Sequence, residues 1–359
     1  MENIFADRRE RLRRAMRTRG LDALLVSNAA NRFYLSGFEL HDPQCNESAG
    51  RLVITVDGRD WLATDSRYVD AAARLWETER VFQYGSDAAG DIARLLKRCG
   101  SRVGLEADDV SFAFARALGT AGGLFLEAAD GLVEDLRIVK GLEEQAALAQ
   151  SFALNHRLLA WVEGEVQPGK SEAEISWAIE RFFRENGADE LAFAVIAATG
   201  KNAALPHAIP GADRIVEHNP VLVDVGCRVQ NYCSDQTRTF WAGDAYGPLY
   251  SRFARTFALV RDAQEAALQT MCPGMTGREV YALARAVFEK AGEEKAFIHG
   301  LGHGVGLETH EAPSLSPHSE RALAPGMVVT VEPGLYYPDW GGVRLEYTVL
   351  VEEDGVRIL

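Results

Sequence analysis

One stretch of this sequence occurs twice, and that repeat limits what the chain can fold into. QPGKSEAEISWAIERFFRENG, starting at Gln167, and CPGMTGREVYALARAVFEKAG, starting at Cys272, align at one offset: Pro168 falls on Pro273, Gly169 on Gly274, Glu174 on Glu279 and Gly187 on Gly292. The apolar positions Ile175, Ala178, Ile179, Phe182 and Phe183 fall on Val280, Leu283, Ala284, Val287 and Phe288. Their spacing is the stripe of an amphipathic helix. Ser171 with Glu174, and Thr276 with Glu279, have the spacing of capping boxes at the two helix starts.

Each copy leads into strands that carry acids. Val221, Leu222 and Val223 run into Asp224, and Val328, Val329, Thr330 and Val331 run into Glu332. Asp235 and Glu346 follow in the next strand segments, and Thr237 and Thr348 stand two residues beyond them. The offset drifts by a few residues between the pairs, which loop insertions explain. Two helix-plus-hairpin halves, each supplying two carboxylates, predict a pseudo-symmetric α+β domain with a site on its axis. Chance likeness between two amphipathic helices would not carry over to the acids that follow them.

A carboxylate carried into a buried strand costs several kcal/mol or more unless a cation or hydrogen bonds meet it. Taken singly, Asp224-Val225-Gly226 and Glu332-Pro333-Gly334 also read as turns. Taken with the repeat, the four acids read as one site, with His303 of HGLGHGVGLETH among them. Four negative charges are balanced by two divalent cations, and carboxylates with one imidazole suit Mn or Co foremost, with Zn or Fe also in range. In this reading Asp235 and Glu346 bridge the ions, Asp224 completes one metal, and His303 with Glu332 completes the other. Such a pair activates water and clamps a tetrahedral intermediate, which is hydrolytic chemistry. The glycines at 300, 302, 304 and 306 are expected to let backbone approach a metal or substrate. Their spacing does not fit GxGxxG, and the chain has no HExxH, GxSxG or GxxxxGK[ST].

Composition excludes other classes. A net charge of −14 without a basic patch argues against nucleic acid. Five cysteines form no CxxC pair and no paired framework, as expected of a reducing cytoplasm. The Arg-rich start, MENIFADRRERLRRAMRTRG, reads as an amphipathic helix and not a secretion signal, and no apolar run is long enough to span a membrane. Upstream of the repeat, DALLV, a hairpin across Asp57 and Gly58, and alternating helical and strand patterns predict an α/β domain over residues 1–133. The second domain is placed at 134–359. It opens on about thirty residues without strand signal, long for one helix.

The segments LPHAIP, VLVDVGCRVQNYCSDQTRTF, HGLGHGVGLETHEAP, PGMVVTVEPGLYY and GGVRLEYTVLV resemble the signature segments of the pita-bread metallopeptidases, the group of aminopeptidase P, prolidase, methionine aminopeptidase and creatinase. The likeness covers about 134–359. FYLSGF and the α/β domain before it resemble the creatinase-like amino-terminal domain of the aminopeptidase P and prolidase branch. The resemblance implies that Asp224, Asp235, His303, Glu332 and Glu346 are the metal ligands, with Glu332 as proton acceptor from water. It implies that His207 and His310 contact the substrate around the scissile bond, and that His299 lies behind the ligands on the substrate side. Arg344, two residues before Glu346 on one strand face, is expected to orient that carboxylate and to border the substrate.

The implied activity is hydrolysis of the bond between an N-terminal residue and proline, by a homodimer whose loop Gly37–Ser48, carrying His41, reaches the partner's site. Where many prolidases have Arg after HExP this chain has Ser314, which points to longer Xaa-Pro peptides over dipeptides. Tyr347 and Leu345 also depart from the usual residues, and neither is a ligand. A creatinase-like hydrolase working without metal, or a non-catalytic peptide-binding relative, is the alternative; the intact ligand set speaks against both.

Overall fold

The computed structural model describes residues 2–42 and 47–359; positions 43–46 of the expected partner-reaching loop, Cys45 among them, lie outside the described residues. The chain divides into two compact units, 1–137 and 138–359.

Unit 1 is built on six strands: β1 (Ala23–Val26), β2 (Arg51–Thr55), β3 (Trp61–Thr64), β4 (Val81–Gln83), β5 (Arg102–Leu105) and β6 (Phe125–Ala128). They form one sheet in the order β4-β3-β2-β1-β5-β6. The strands buried along their whole length, β1 and β2, lie at its centre, which is why DALLV and RLVIT read as apolar runs. Gly58, at φ +84°, turns β2 into β3 as the Asp57-Gly58 pair predicts. Helices Ala88–Lys97 and Phe112–Gly122 alternate with the strands of this unit. The run FYLSGF closes a helix, Ala29–Ser36, that Gly37 ends in the left-handed conformation. The short helix Glu134–Arg137, assigned to the second domain from sequence, has its described partner here: Asn31 donates to Glu134 and accepts from Arg137. The division therefore falls after Arg137 and not after residue 133.

Unit 2 repeats one plan twice. A 24-residue helix, Leu142–Glu165, is followed by the capped helix Glu172–Glu185; a second 24-residue helix, Gly247–Thr270, is followed by the capped helix Gly277–Ala291. The stretch that looked long for one helix is thus one helix, held by a continuous buried stripe through Leu148, Phe152, Leu159 and Val162. Ser171 and Thr276 accept from the backbone N–H of Glu174 and Glu279, whose carboxylates accept from the cap N–H groups.

The strands of the first half are β7 (Glu190–Leu191), β8 (Ile196–Thr199), β9 (Asn219–Val225), β10 (Cys227–Val229), β11 (Tyr232–Cys233) and β12 (Gln236–Ala242). Those of the second are β13 (Gly302–Gly304), β14 (Glu311–Leu315), β15 (Val328–Val331), β16 (Gly334–Tyr337), β17 (Gly341–Arg344), β18 (Tyr347–Glu352) and β19 (Gly355–Ile358). The antiparallel sheet β8-β9-β12 has its counterpart in β13-β15-β18, and a small hairpin interrupts each half, β10-β11 in one and β16-β17 in the other. The helices cover the sheets through two apolar clusters, one around Ile179, Phe183 and Val223, the other around Val280, Phe288 and Val329.

The two caps set a test of this plan. Ser171→Ala and Thr276→Ala should each lower unfolding free energy by about 1 kcal/mol in urea denaturation. An unchanged denaturation midpoint in both would contradict the reading of these helices as cap-dependent.

Candidate metal centre

The acids occupy matching places in the two halves. Asp224 lies near the end of β9 and Glu332 just after β15; Asp235 immediately precedes β12 and Glu346 immediately precedes β18. Hydrogen bonds across the pseudo-twofold axis join the halves. Thr237 Oγ1 donates to Glu346 Oε2 at 2.9 Å, Thr348 Oγ1 donates to the Asp235 carbonyl at 3.1 Å, and the Glu346 N–H donates to the Thr237 carbonyl. The paired threonines read from the sequence therefore lock the two acid-bearing strands together.

Asp224, Asp235 and Glu346 are buried, and each turns one carboxylate oxygen into a space where all three lie within 4.8 Å of one another. His303 Nε2 lies 3.6 Å from Asp235 Oδ2 and 3.3 Å from Glu332 Oε1. Its Nδ1 faces the Gly304 carbonyl at 3.0 Å, and because a carbonyl only accepts, Nδ1 carries a proton; Nε2 donates to Glu332 where no cation is bound and is left to offer its lone pair to a cation that displaces that proton. A proton held on Nδ1 is what a metal-binding imidazole needs.

The electrostatics show a cluster short of positive charge. Burial, and then the charges of their neighbours, push Asp235 and Glu346 well above the ordinary carboxylate range. Burial raises Asp224 too, against the pull of Arg344. Burial acts upward on Glu332, but its hydrogen bond to His303 and the charges of His303 and Arg344 together outweigh that and bring it down to about 2. Asp224 Oδ1 and Glu346 Oε1 are buried with no hydrogen-bond partner. An orphaned carboxylate oxygen in the interior costs about 1–3 kcal/mol or more. Facing inward from opposite halves, these oxygens have the chemistry of ligands to a hard divalent cation, and the donor set of four carboxylates and one imidazole fits Mn, Co or Fe.

Arg344 is placed differently from the expectation. Its Nη2 donates to Asp224 Oδ2 at 2.6 Å, its Nε to Thr237 Oγ1 at 3.0 Å and its Nη1 to Tyr336 Oη at 2.9 Å; it does not bond Glu346. The strand-face argument fails because the chain changes sheets between the two residues: Arg344 ends β17, paired with β16, and Glu346 leads into β18, paired with β15. Tyr336, which sequence reasoning missed, extends the chain of bonds. Having accepted from Arg344, its hydroxyl is free to donate to His299 Nε2 at 2.9 Å, and His299 Nδ1 donates to the Gly300 carbonyl. Burial lowers the His299 pKa, in keeping with this neutral tautomer.

Two further residues missed from sequence fix the strand ends. Asn155 donates to the Val225 carbonyl, beside Asp224, and Gln264 donates to the carbonyls of Val331 and Leu345, beside Glu332 and Glu346. Both project from the long helices into otherwise apolar stripes, and a polar residue in such a stripe was the available signal. Of the glycines, Gly300 and Gly302 line the cavity beside the acids, and close approach to neighbouring strands is a second demand on them. A Cβ on Gly302 would come within 2.0 Å of the Thr330 carbonyl oxygen and one on Gly304 within 2.3 Å of that of Ala312, so the close approach is to neighbouring strands.

A cavity of about 470 Å³ opens onto the acids. His207, His299, His310 and Arg344 line it, with Phe193 and Ile209 among its apolar walls. The His310 ring lies 4.2 Å from that of His303, centroid to centroid, and is tilted to it by 57°. Ser314 is not among the lining residues; it is exposed, its hydroxyl 3.3 Å from that of Ser316.

The Arg344 fork yields a test. Arg344→Lys keeps the charge but cannot bond Asp224, Thr237 and Tyr336 together. Affinity for Mn or Co, measured by competition with a chelator, should fall about 10–100-fold, the usual effect of losing a group that orients a ligand. Unchanged affinity would show that Asp224 is held without it.

Residues 146–353 match the model of metallopeptidase family M24, and residues 8–139 match the creatinase/prolidase N-terminal domain. A solved Xaa-Pro dipeptidase from Bacillus anthracis superposes with a TM-score of 0.91 at 33% identity, covering 99% of this chain and 97% of that one. An X-Pro aminopeptidase from Thermotoga maritima superposes at 0.82 with 30% identity, covering 96% and 97%. An Xaa-Pro dipeptidase of Pyrococcus furiosus is 38% identical over 230 residues, 64% of this chain and 65% of its own length. The expected fold class, a creatinase-like α/β domain followed by a pita-bread catalytic domain, is borne out. With a family model matched over more than half its length, and with its acids gathered in the domain so matched, the chain belongs to metallopeptidase family M24.

Proposed function

We propose that this chain is a dinuclear metallo-exopeptidase that cleaves the bond between an N-terminal residue and proline, with Xaa-Pro dipeptides as its better substrates. The observation that carries the metallopeptidase reading is the buried gathering of Asp224, Asp235 and Glu346, with His303 and Glu332 against it and two carboxylate oxygens without a donor. In this proposal Asp224, Asp235, His303, Glu332 and Glu346 would together hold two divalent ions. Bound divalent cations would supply a nucleophilic water at neutral pH and Lewis-acid polarisation of the scissile carbonyl. Mn or Co is the expected metal.

The remaining work falls to the chain. Glu332, half-buried at the cavity, accepts the proton of the attacking water. The charge of Arg344 helps to keep its carboxylate ionised for that task. Arg344 holds Asp224 in one orientation, and its own position is held by Thr237 and Tyr336. His207 and His310, exposed on the cavity wall, would bond the peptide carbonyls on either side of the scissile bond. The proposal extends to a homodimer, and to the cytoplasm, where the free thiols of Cys99, Cys227, Cys233 and Cys272 would stay reduced.

Support for dipeptides comes from the Bacillus anthracis and Pyrococcus furiosus relatives, both Xaa-Pro dipeptidases. Support for longer peptides comes from Ser314, a neutral exposed residue, and from Arg344, already bound to Asp224; no other Lys or Arg lines the cavity among the described residues. The dipeptide reading is preferred because the relatives that carry it match at higher identity.

Chelation should abolish hydrolysis and added Mn or Co should restore it, while Glu332→Gln should lower kcat by about two to four orders of magnitude, the range for loss of an acid–base group. Activity that survives complete metal removal would refute the metal-dependent reading. Separately, kcat/KM for an Xaa-Pro dipeptide should exceed that for the matching Xaa-Pro tripeptide. The reverse order would assign the chain to the aminopeptidase side, as Ser314 suggests.

A further inference from the structure

A second cavity in unit 2, also of about 470 Å³, shares no lining residue with the first. It is lined from β12 by Arg238, Phe240 and Trp241 and from the helix Gly247–Thr270 by Tyr250, Phe253 and Phe257. The end of β12 builds one wall of it: Arg238, Thr239, Phe240 and Trp241 all border the cavity, Thr239 also donating to the Arg344 carbonyl. The aromatic wall is continuous: Trp241 lies 5.0 Å from Phe253 and 5.4 Å from Tyr250, ring to ring.

Arg238 is the unusual element. It is half-buried, and no carboxylate forms an ion pair with it among the described residues. Its Nη1 donates to the carbonyls of Thr237 and Glu346, and its guanidinium lies over the Tyr347 ring at 4.4 Å. The other charged lining residues, Glu163 and Arg261, are exposed, and Arg261 already pairs with Asp262 and Glu265. A half-buried guanidinium without an acid, set in an aromatic cavity, has the recognition chemistry of a carboxylate on an apolar body.

We propose that this cavity is a ligand site, distinct from the metal centre, for a small monocarboxylate with an aromatic or aliphatic body, the carboxylate meeting Arg238 and the body lying between Trp241, Tyr250 and Phe257. The proposal does not depend on the peptidase reading, and its test uses no catalytic readout. The probe is 4-phenylbutyrate, titrated calorimetrically into the metal-loaded enzyme beside its neutral isostere 4-phenylbutyramide. The carboxylate should bind at least about tenfold tighter than the amide, as loss of a charge-assisted hydrogen bond predicts. Arg238→Met should remove that difference. Ala258→Trp, which fills the cavity from the helix side and leaves Arg238 intact, should abolish binding of both compounds and covers the case in which the Arg238 variant fails to fold. Equal affinity for acid and amide, or no binding of the acid, would overturn the proposal. So would binding of 4-phenylbutyrate that persists in Ala258→Trp, which would place it elsewhere.

Discussion

Four carboxylates, three of them buried and within reach of one another, are the constraint on which the second unit depends. Like charges at such separations in a low-dielectric interior repel by several kcal/mol, and one guanidinium on Asp224 with one imidazole at Glu332 does not offset them. The fold accepts this arrangement because its two halves are tied from both sides. Thr237 and Thr348 bind the acid-bearing strands across the axis, and Asn155 and Gln264 hold the strand ends from the helices behind. Rigid support of this kind keeps the ligand oxygens where cations need them.

Symmetry also explains what differs between the halves. Each supplies an acid at a strand end and an acid before the next strand, but among the described residues the imidazole against the acids, His303, and the guanidinium on Asp224, Arg344, both come from the second half. His303 comes from β13, whose counterpart β8 carries no ligand, and Arg344 comes from the hairpin β16-β17. The two ends of the acid cluster are therefore chemically unequal, one beside Arg344 and Asp224 and the other beside His303 and Glu332. Glu332, on the His303 side, borders the cavity into which His207 and His310 project. On the proposed hydrolytic reading, that inequality would confine water activation to the Glu332 side.

Much of this was legible because acids in apolar strands break the expected pattern. Asp224 after Val221-Leu222-Val223 and Glu332 after Val328–Val331 violate burial rules at two places related by a repeat, and a coincidence of violations marks a site. The capping boxes were legible because they are local, complete within four residues. What depends on which strands pair was not. The partner of Arg344 changed from Glu346 to Asp224 because the chain crosses from one sheet to another between residues 344 and 346. Tyr336 lies thirty-seven residues from His299 in sequence, and nothing local announces their bond. The glycines around His303 were read as places of close approach, and one such approach, by the backbone of Thr330 and Ala312, is known only once the sheet is assembled.

The central claim is that these carboxylates are kept for cations at the expense of stability, and the sign of one substitution tests it. Asp235→Asn removes one charge from the cluster at nearly constant shape. In chelator, where only repulsion is relieved, the variant should unfold at a higher temperature than the parent, by about 1–3 kcal/mol in stability terms. In saturating Mn the order should invert, because the parent gains binding energy that the variant has lost. A variant less stable than the parent in chelator as well as in Mn would show that Asp235 serves the fold itself, and would contradict the account.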